Sequence, residues 1–157
     1  MNAIDLLKAD HDKVEELFKQ VEASDKGKHE ALFRKIDAAL EPHAHIEETI
    51  FYPKMIADGN EELQAIVKEG IEEHRQMKMF LKEIAALTAD VDKFEAKLKV
   101  LIENTRHHVK EEEGEMFPQI KKTDIDLEAP GQELSQRKEE LQIEGVPASA
   151  EEAMVSK

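Results

Sequence analysis

The chain has 157 residues, of which 37% are charged, and it carries a formal net charge of −14. This charge disfavours binding to nucleic-acid phosphates or anionic lipid, because the sequence shows no basic patch that would offset the repulsion. The absence of cysteine excludes disulfides, thiolate metal ligands and thiol catalysis, so any bound metal must be held by imidazole and carboxylate groups.

Apolar residues recur at spacings of three and four through most of the chain, which is typical of amphipathic helices. Short polar turns divide this pattern into four predicted helices at about 2–23, 28–57, 61–87 and 90–122. Because the connections are short, neighbouring helices should be antiparallel. We therefore predict an all-α fold, an up-down-up-down antiparallel four-helix bundle.

Pro42 falls inside the second predicted helix, directly before His43. A proline inside a helix removes one backbone hydrogen bond and costs about 3 kcal/mol. We expect the helix to bend here. The sequence leaves open whether that bend serves packing alone or the neighbouring histidine.

The pattern changes near the end of the bundle, so we predict a bundle domain at 1–123 and a C-terminal extension at 124–157. The extension should contain a short helix at about 130–143, followed by a disordered tail at 145–157. Its leucines leave open whether the helix packs on the bundle or on a second subunit, and we expect a monomer or a weak homodimer through this segment. These leucines have heptad spacing: Leu127, Leu134 and Leu141.

The first residues lack the basic segment and apolar run of a signal peptide. No stretch of the sequence approaches the ~20 apolar residues that a membrane span requires. From these two absences we expect a cytoplasmic protein that does not associate with membranes.

One sequence pattern occurs twice in the chain. Residues 43–53 and 108–118 each have the form His-x-x-x-Glu-Glu, then four residues, then proline. Upstream of each copy an acidic residue precedes a histidine, in Asp10-His11 and Glu73-His74. Asp10 and Glu73 either accept hydrogen bonds from imidazoles of a neighbouring helix or lie on the solvated surface.

The histidines and glutamates of this pattern fall on the apolar faces of the predicted helices. A single histidine in such a place is usually a hydrogen-bonded core residue, but a buried, unpaired carboxylate is expensive. Six such groups in duplicated register favour a buried metal cluster, which would neutralise the carboxylates and satisfy the imidazoles. The predicted ligands are His11, His43, Glu47, His74, His108 and Glu112.

These residues and the two motifs resemble the hemerythrin family, specifically its His-His-Glu (HHE) cation-binding domain, over residues 1–122. The resemblance implies a non-haem di-iron centre with an oxo or hydroxo bridge, in which Glu47 and Glu112 also bridge the two irons. It implies a small ligand, namely O2, NO or H2O2. Zinc or manganese could replace iron, because histidine and carboxylate sites accept all three metals.

The chain departs from the oxygen-carrying hemerythrins at one position. Those proteins have a second histidine four residues after the third-helix ligand, where this chain has Lys78. With both glutamates bridging, each iron would keep an open position. Glu15 is the candidate for an additional ligand because it lies on the same helix face as His11. Two further candidates, His45 and Tyr52, are expected to point away from the site on ideal helices. A third, His107, is expected either to support a ligand from outside or to lie at the surface.

The leading functional hypothesis is a di-iron protein that binds or reacts with a small ligand for sensing, scavenging, or oxygen and iron handling. One alternative is a peroxide-decomposing, catalase-like enzyme of the same fold. Another is a structural bundle that holds zinc or another cation. The sequence does not decide whether the protein is an enzyme.

Overall fold

Helices form the regular secondary structure of residues 1–87 and 89–147, which are the residues that the computed structural model describes. Over those residues it contains no strand, in agreement with the predicted all-α class. The α-helical segments are α1 Ala3–Ala23, α2 His29–Ile46, α3 Tyr52–Asp58, α4 Glu61–Ala85, α5 Val91–Glu111, α6 Phe117–Lys121 and α7 Glu128–Glu144.

Three helices begin at side chains that cap their first turns. The Oδ1 atoms of Asn2, Asn60 and Asp90 accept hydrogen bonds from backbone N–H groups three residues later, at 2.9–3.0 Å. Each such bond satisfies a donor that has no partner within the helix. The predicted starts of these helices are therefore accurate, and α2 continues through Pro42.

Two π turns interrupt the helices at matching places in the duplicated motif. The first π turn, Glu47–Phe51, joins α2 to α3, and the second π turn, Glu112–Met116, joins α5 to α6. Each turn begins at the glutamate of a His-x-x-x-Glu pair. A π turn takes up one extra residue, which rotates every following side chain by roughly 100° relative to an uninterrupted α-helix.

Hydrogen bonds show that sequential long helices run antiparallel. Near one end of the α1–α2 pair, the His29 ring bonds to the carbonyl oxygen of Val21, and further along Asp10 contacts His43. In the α4–α5 pair, Gln119, just after the second π turn that follows α5, bonds to Glu62 at the start of α4. Mid-helix contacts also join α4 to the first π turn and α1 to α5.

The apolar core consists of two clusters separated by a band of polar side chains. Along α1, Leu7 belongs to one cluster and Val14 to the other, and His11 lies between them. Along α4, Val67 and Met77 flank His74 in the same way. The polar band therefore crosses the bundle at one level, enclosed by apolar packing on both sides.

Helix α7 packs on the same chain rather than projecting from it. Leu134 and Leu141 are 0% and 2% exposed and belong to the core cluster that contains Ala3. The N–H of Ala3 donates to the carbonyl oxygen of Leu127 at 2.9 Å. The predicted C-terminal helix thus covers its leucine face with its own bundle, while residues 148–157 of the predicted tail lie outside the described residues.

None of the helices in the described ranges is long and apolar enough to cross a membrane.

Candidate metal centre

Six buried side chains converge in the polar band as two overlapping groups. In each group, one nitrogen or oxygen atom from every residue lies within 4.8 Å of the others. Glu47 and Glu112 belong to both groups, so two four-residue sites share two carboxylates. The first group is His11, His43, Glu47 and Glu112, and the second is Glu47, His74, His108 and Glu112.

The two shared carboxylates are almost inaccessible to solvent. Glu47 is 0% exposed and Glu112 is 1% exposed. Within residues 1–87 and 89–147, both oxygens of Glu47, Oε1 of Glu112 and Nε2 of His11 are buried without a hydrogen-bond partner. Orphaned buried polar atoms are rare and costly, so the protein alone does not complete this cluster.

Short contacts inside the cluster also lack hydrogen-bond geometry. His43 Nε2 lies 2.6 Å from Glu47 Oε1, although that oxygen has no hydrogen-bond partner among the described residues. These atoms therefore lie close together without bonding to each other, as the ligands of a shared cation do. Imidazole nitrogens and carboxylate oxygens are suitable donors for iron, zinc or manganese. The residues present therefore fit a pair of cations, each with two histidines and both carboxylates.

In each His-x-x-x-Glu pair, a carboxylate accepts a hydrogen bond from Nδ1 of the histidine. Asp10 Oδ2 accepts from His43 Nδ1 at 3.0 Å, and Glu73 Oε1 accepts from His108 Nδ1 at 2.7 Å. Asp10 and Glu73 precede the histidines of α1 and α4, so each repeat orients an imidazole of the next helix. Such partners fix which ring nitrogen faces the metal.

The second glutamate of each motif lies near one of the other two histidines, but only Glu113 bonds to its histidine. Glu113 Oε2 lies 2.6 Å from His11 Nδ1. Its counterpart Glu48 lies 3.8 Å from His74 Nδ1 and pairs instead with Lys78 at 2.7 Å. The two halves of the centre therefore differ at His74, whose Nδ1 is buried without a partner in the part of the chain that the structure describes.

Burial and the neighbouring charges shift the pKa of each histidine and glutamate in the cluster. Burial alone would lower the pKa of His43, but the nearby carboxylates of Glu47 and Asp10 outweigh it and raise that pKa to about 10. Burial would likewise raise the pKa of Glu47, but His43 and His74 lower it well below its usual range. In the absence of a metal, the raised pKa favours a proton on His43, and metal binding there should release it.

Tyr52 lies inside the cluster, and the expectation that it points away is wrong. Its side chain is 0% exposed, and its hydroxyl donates to Glu112 Oε2 at 2.5 Å. The Tyr52 hydroxyl oxygen also lies 3.2 Å from Nε2 of both His74 and His108. The first π turn accounts for the difference, because it rotates Tyr52 toward the face that carries His43. Burial and the neighbouring carboxylates raise the pKa of this phenol.

Glu15, the candidate for an additional ligand, pairs with an arginine instead of joining the six-residue cluster. Glu15 is about one-third exposed and pairs with Arg106, whose guanidinium also binds Glu22. The positive partner on α5 draws this carboxylate to the surface, away from His11. His107 is largely exposed beside Glu111, as expected, and His45 is half-buried.

His29, at the start of α2, is buried. Its Nδ1 contacts Glu95 at 2.7 Å, and its Nε2 donates to the carbonyl oxygen of Val21 at 2.9 Å. It closes the end of the bundle away from α7 and takes no part in the metal cluster.

Comparison with known proteins gives the same family from sequence and from structure. The model of the hemerythrin HHE cation binding domain matches residues 2–120. A solved structure of a hemerythrin HHE cation binding domain-containing protein from Mycobacterium kansasii is 25% identical, with a TM-score of 0.72 over 92% of this chain and 94% of that chain. A DNA nickase of Nostoc sp. is 30% identical over 122 residues, which are 77% of this chain and 34% of the nickase. This chain thus spans about a third of that relative.

Proposed function

The chain belongs to the hemerythrin HHE cation-binding domain family, and from this premise we propose that it is a non-haem di-iron protein that binds or reacts with O2, NO or H2O2. The observation that carries the proposal is the pair of buried two-histidine groups that share two unsatisfied carboxylates. We also propose that the long helices form an up-down-up-down four-helix bundle, which the antiparallel contacts between sequential helices support.

Each residue of the cluster has a role in this proposal. His11 and His43 would hold one iron, His74 and His108 the other, and the shared glutamates would bridge them. The iron pair, when bound, supplies reversible ligand binding or electron transfer to the ligand. Asp10 and Glu73 keep the imidazoles of His43 and His108 in the orientation that metal binding needs.

Tyr52 bears on which side of the centre meets the ligand. Lys78 stands where oxygen carriers have a further histidine, and its ammonium group is paired with Glu48. The chain offers the Tyr52 hydroxyl instead, beside His74 and His108 and bonded to Glu112. The two metal positions are therefore unequal, and we propose that the small ligand binds near the metal held by His74 and His108.

A cavity supports this placement. It has a volume of about 50 Å³ and opens between α4 and α5, and its lining includes His74, His108 and Met77. A volume of this size accommodates a water molecule or a diatomic ligand. Nicking of DNA, the activity named for the Nostoc protein, is not carried over, because the net charge of −14 opposes contact with phosphates.

The test combines metal content with the optical response to oxygen. Wild-type protein loaded anaerobically with iron should hold close to two irons per chain and develop new charge-transfer bands on exposure to O2. His108→Ala should lose metal, whereas His107→Ala, which changes the adjacent exposed imidazole, should keep it. Equal metal content in the two variants would contradict the assigned site.

The same samples separate the alternatives. Bands that reverse when O2 is removed favour carriage or sensing, and rapid consumption of H2O2 that is lost in Glu47→Ala favours a peroxide-decomposing enzyme. A colourless protein that binds zinc and ignores O2 would replace the di-iron proposal with a structural role for the cation.

A further inference from the structure

We propose that α7 is part of the metal centre, with Lys138 as a positioning residue that stabilises the metal held by His11 and His43. Lys138 acts through Asp10, the carboxylate that orients His43. The inference rests on the proposed dinuclear site. It assigns to the C-terminal helix, which lies beyond the residues that the family model matches, the task of retaining one of the two metals.

The connection from Lys138 to the metal cluster has two links. The Nζ of Lys138 contacts Oδ1 of Asp10, and Oδ2 of the same carboxylate accepts the hydrogen bond from His43 Nδ1 at 3.0 Å. Asp10 is 5% exposed, so its charge is shielded from water and depends on these two partners. With one oxygen held by each partner, the carboxylate cannot rotate, and the imidazole of His43 is fixed with its Nε2 toward Glu47.

The packing of α7 places Lys138 over Asp10. Leu134, Lys138 and Leu141 follow one another at spacings of four and three residues and therefore share one helix face. The two leucines are buried in the core, and the lysine side chain between them is 25% exposed. At the start of the helix, a Cβ on Gly131 would come within 2.6 Å of the Met1 carbonyl oxygen. The close approach there and the leucines beyond set the position of the lysine.

The corresponding carboxylate in the other half of the centre has different neighbours. Glu73 orients His108 as Asp10 orients His43, but it is flanked by His107 and Glu111 rather than by a helix that delivers a lysine. Loss of Lys138 should therefore act on one metal position and spare the other. This selectivity distinguishes positioning from general destabilisation.

The experiment follows the release of metal from full-length iron(II)-loaded protein into excess ferrozine by stopped flow. Loss of a carboxylate that bonds to a ligating histidine typically weakens metal binding by about 10–100-fold, and Lys138 acts one step further out, through Asp10. In Lys138→Met, one of the two metals per chain should therefore leave about 10-fold faster, at the lower end of this range, and the other at the wild-type rate. Lys138→Arg should restore most of the retention, because a guanidinium also pairs with Asp10.

Arg137→Met is the matched control. Arg137 is the adjacent cation on α7 and pairs with Glu140 at the surface. This variant should release both metals at the wild-type rates. The melting temperatures of the metal-free Lys138→Met and Arg137→Met proteins show whether either change loosens the fold as a whole.

Two results would overturn the inference: equal release from Lys138→Met and Arg137→Met, or equal acceleration of both metals in Lys138→Met. Asp10→Asn is a second test that leaves α7 unchanged, and it should accelerate the same single metal. Release of both metals at wild-type rates from Asp10→Asn would also overturn it. Wild-type protein that holds fewer than two metals would instead contradict the proposed function, before any variant is compared.

Discussion

Replacing Tyr52 with phenylalanine removes one hydroxyl from the centre of the polar band and leaves the ring in place. That hydroxyl donates to Glu112 Oε2, and the side chain has no exposed surface through which water could substitute. The variant therefore removes the hydroxyl donor of a buried carboxylate oxygen and opens a void no larger than one oxygen atom. The effect on the metal-free protein should be electrostatic rather than a loss of packing.

The expected magnitude follows from the type of bond that is lost. A hydrogen bond to a charged group contributes roughly 1.5–3 kcal/mol to stability. For a chain of this size, 1 kcal/mol corresponds to a shift in melting temperature of about 2–4 °C. A loss of about 2 kcal/mol therefore lowers the melting temperature of the metal-free protein by roughly 4–8 °C.

Thr105→Val is the control for this prediction. Thr105 is also a buried hydroxyl in the same region, but it donates to the carbonyl oxygen of Leu101, a neutral acceptor on its own helix. Its removal should cost about 1 kcal/mol or less. Calorimetry of the metal-free proteins gives both shifts. A decrease for Tyr52→Phe that does not exceed the decrease for Thr105→Val would refute the role assigned to the phenol.

Three further predictions concern residues outside the six ligands. Glu15→Ala breaks an ion pair with Arg106 at the surface, so it should leave the metal content unchanged. The free energy of unfolding, measured in urea, should fall by about 1 kcal/mol or less. Loss of metal from this variant would instead support Glu15 as a ligand. Burial opposes the charge on His29, but Glu95 raises the folded pKa of this histidine above its unfolded value. The contribution of protonated His29 to folding stability is therefore complete below about pH 6.5 and is lost as pH rises through the folded pKa. His29→Gln should thus cost more stability near pH 6 than near pH 9, and a cost independent of pH would contradict this. Gly70→Ala places a Cβ at 3.4 Å or more from its neighbours. The free energy of unfolding should therefore stay equal or rise by up to about 1 kcal/mol. A marked fall in the melting temperature would show that the site needs this space.

Regular helical periodicity made the helix boundaries and the convergence of the six side chains predictable. Asn2 and Asp90 stand at the predicted starts of two helices, directly before apolar periodic runs, and both cap their helices. The histidine and glutamate of each motif are four residues apart within unbroken α-helix, up to the point where the π turn begins. The duplicated motif then placed equivalent groups at one level of the bundle.

Tyr52 was not predictable in the same way, because the sequence pattern carries no clear sign of a π turn. The extra residue in Glu47–Phe51 changes the rotation of everything after it, so an ideal-helix angle fails at Tyr52 while it succeeds at Glu47. In hindsight, the shared proline after each motif marks where both π turns give way to α-helix.

Glu15 and Lys138 show a second limit of sequence reasoning. Spacing along one helix places Glu15 near His11 but does not reveal that Arg106 on a distant helix pairs with it. The contact between Lys138 and Asp10 likewise depends on how α7 packs, which the heptad leucines left open between the bundle and a second subunit. Contacts between distant segments require the tertiary structure.

The most direct test of the central claim is a crystal structure of the iron-loaded protein with anomalous diffraction measured at the iron edge. Two anomalous peaks are expected, one beside His11 and His43 and one beside His74 and His108, with Glu47 and Glu112 bordering both. A single peak, or a peak only at an exposed group such as Glu73, His107 and Glu111, would contradict the dinuclear site.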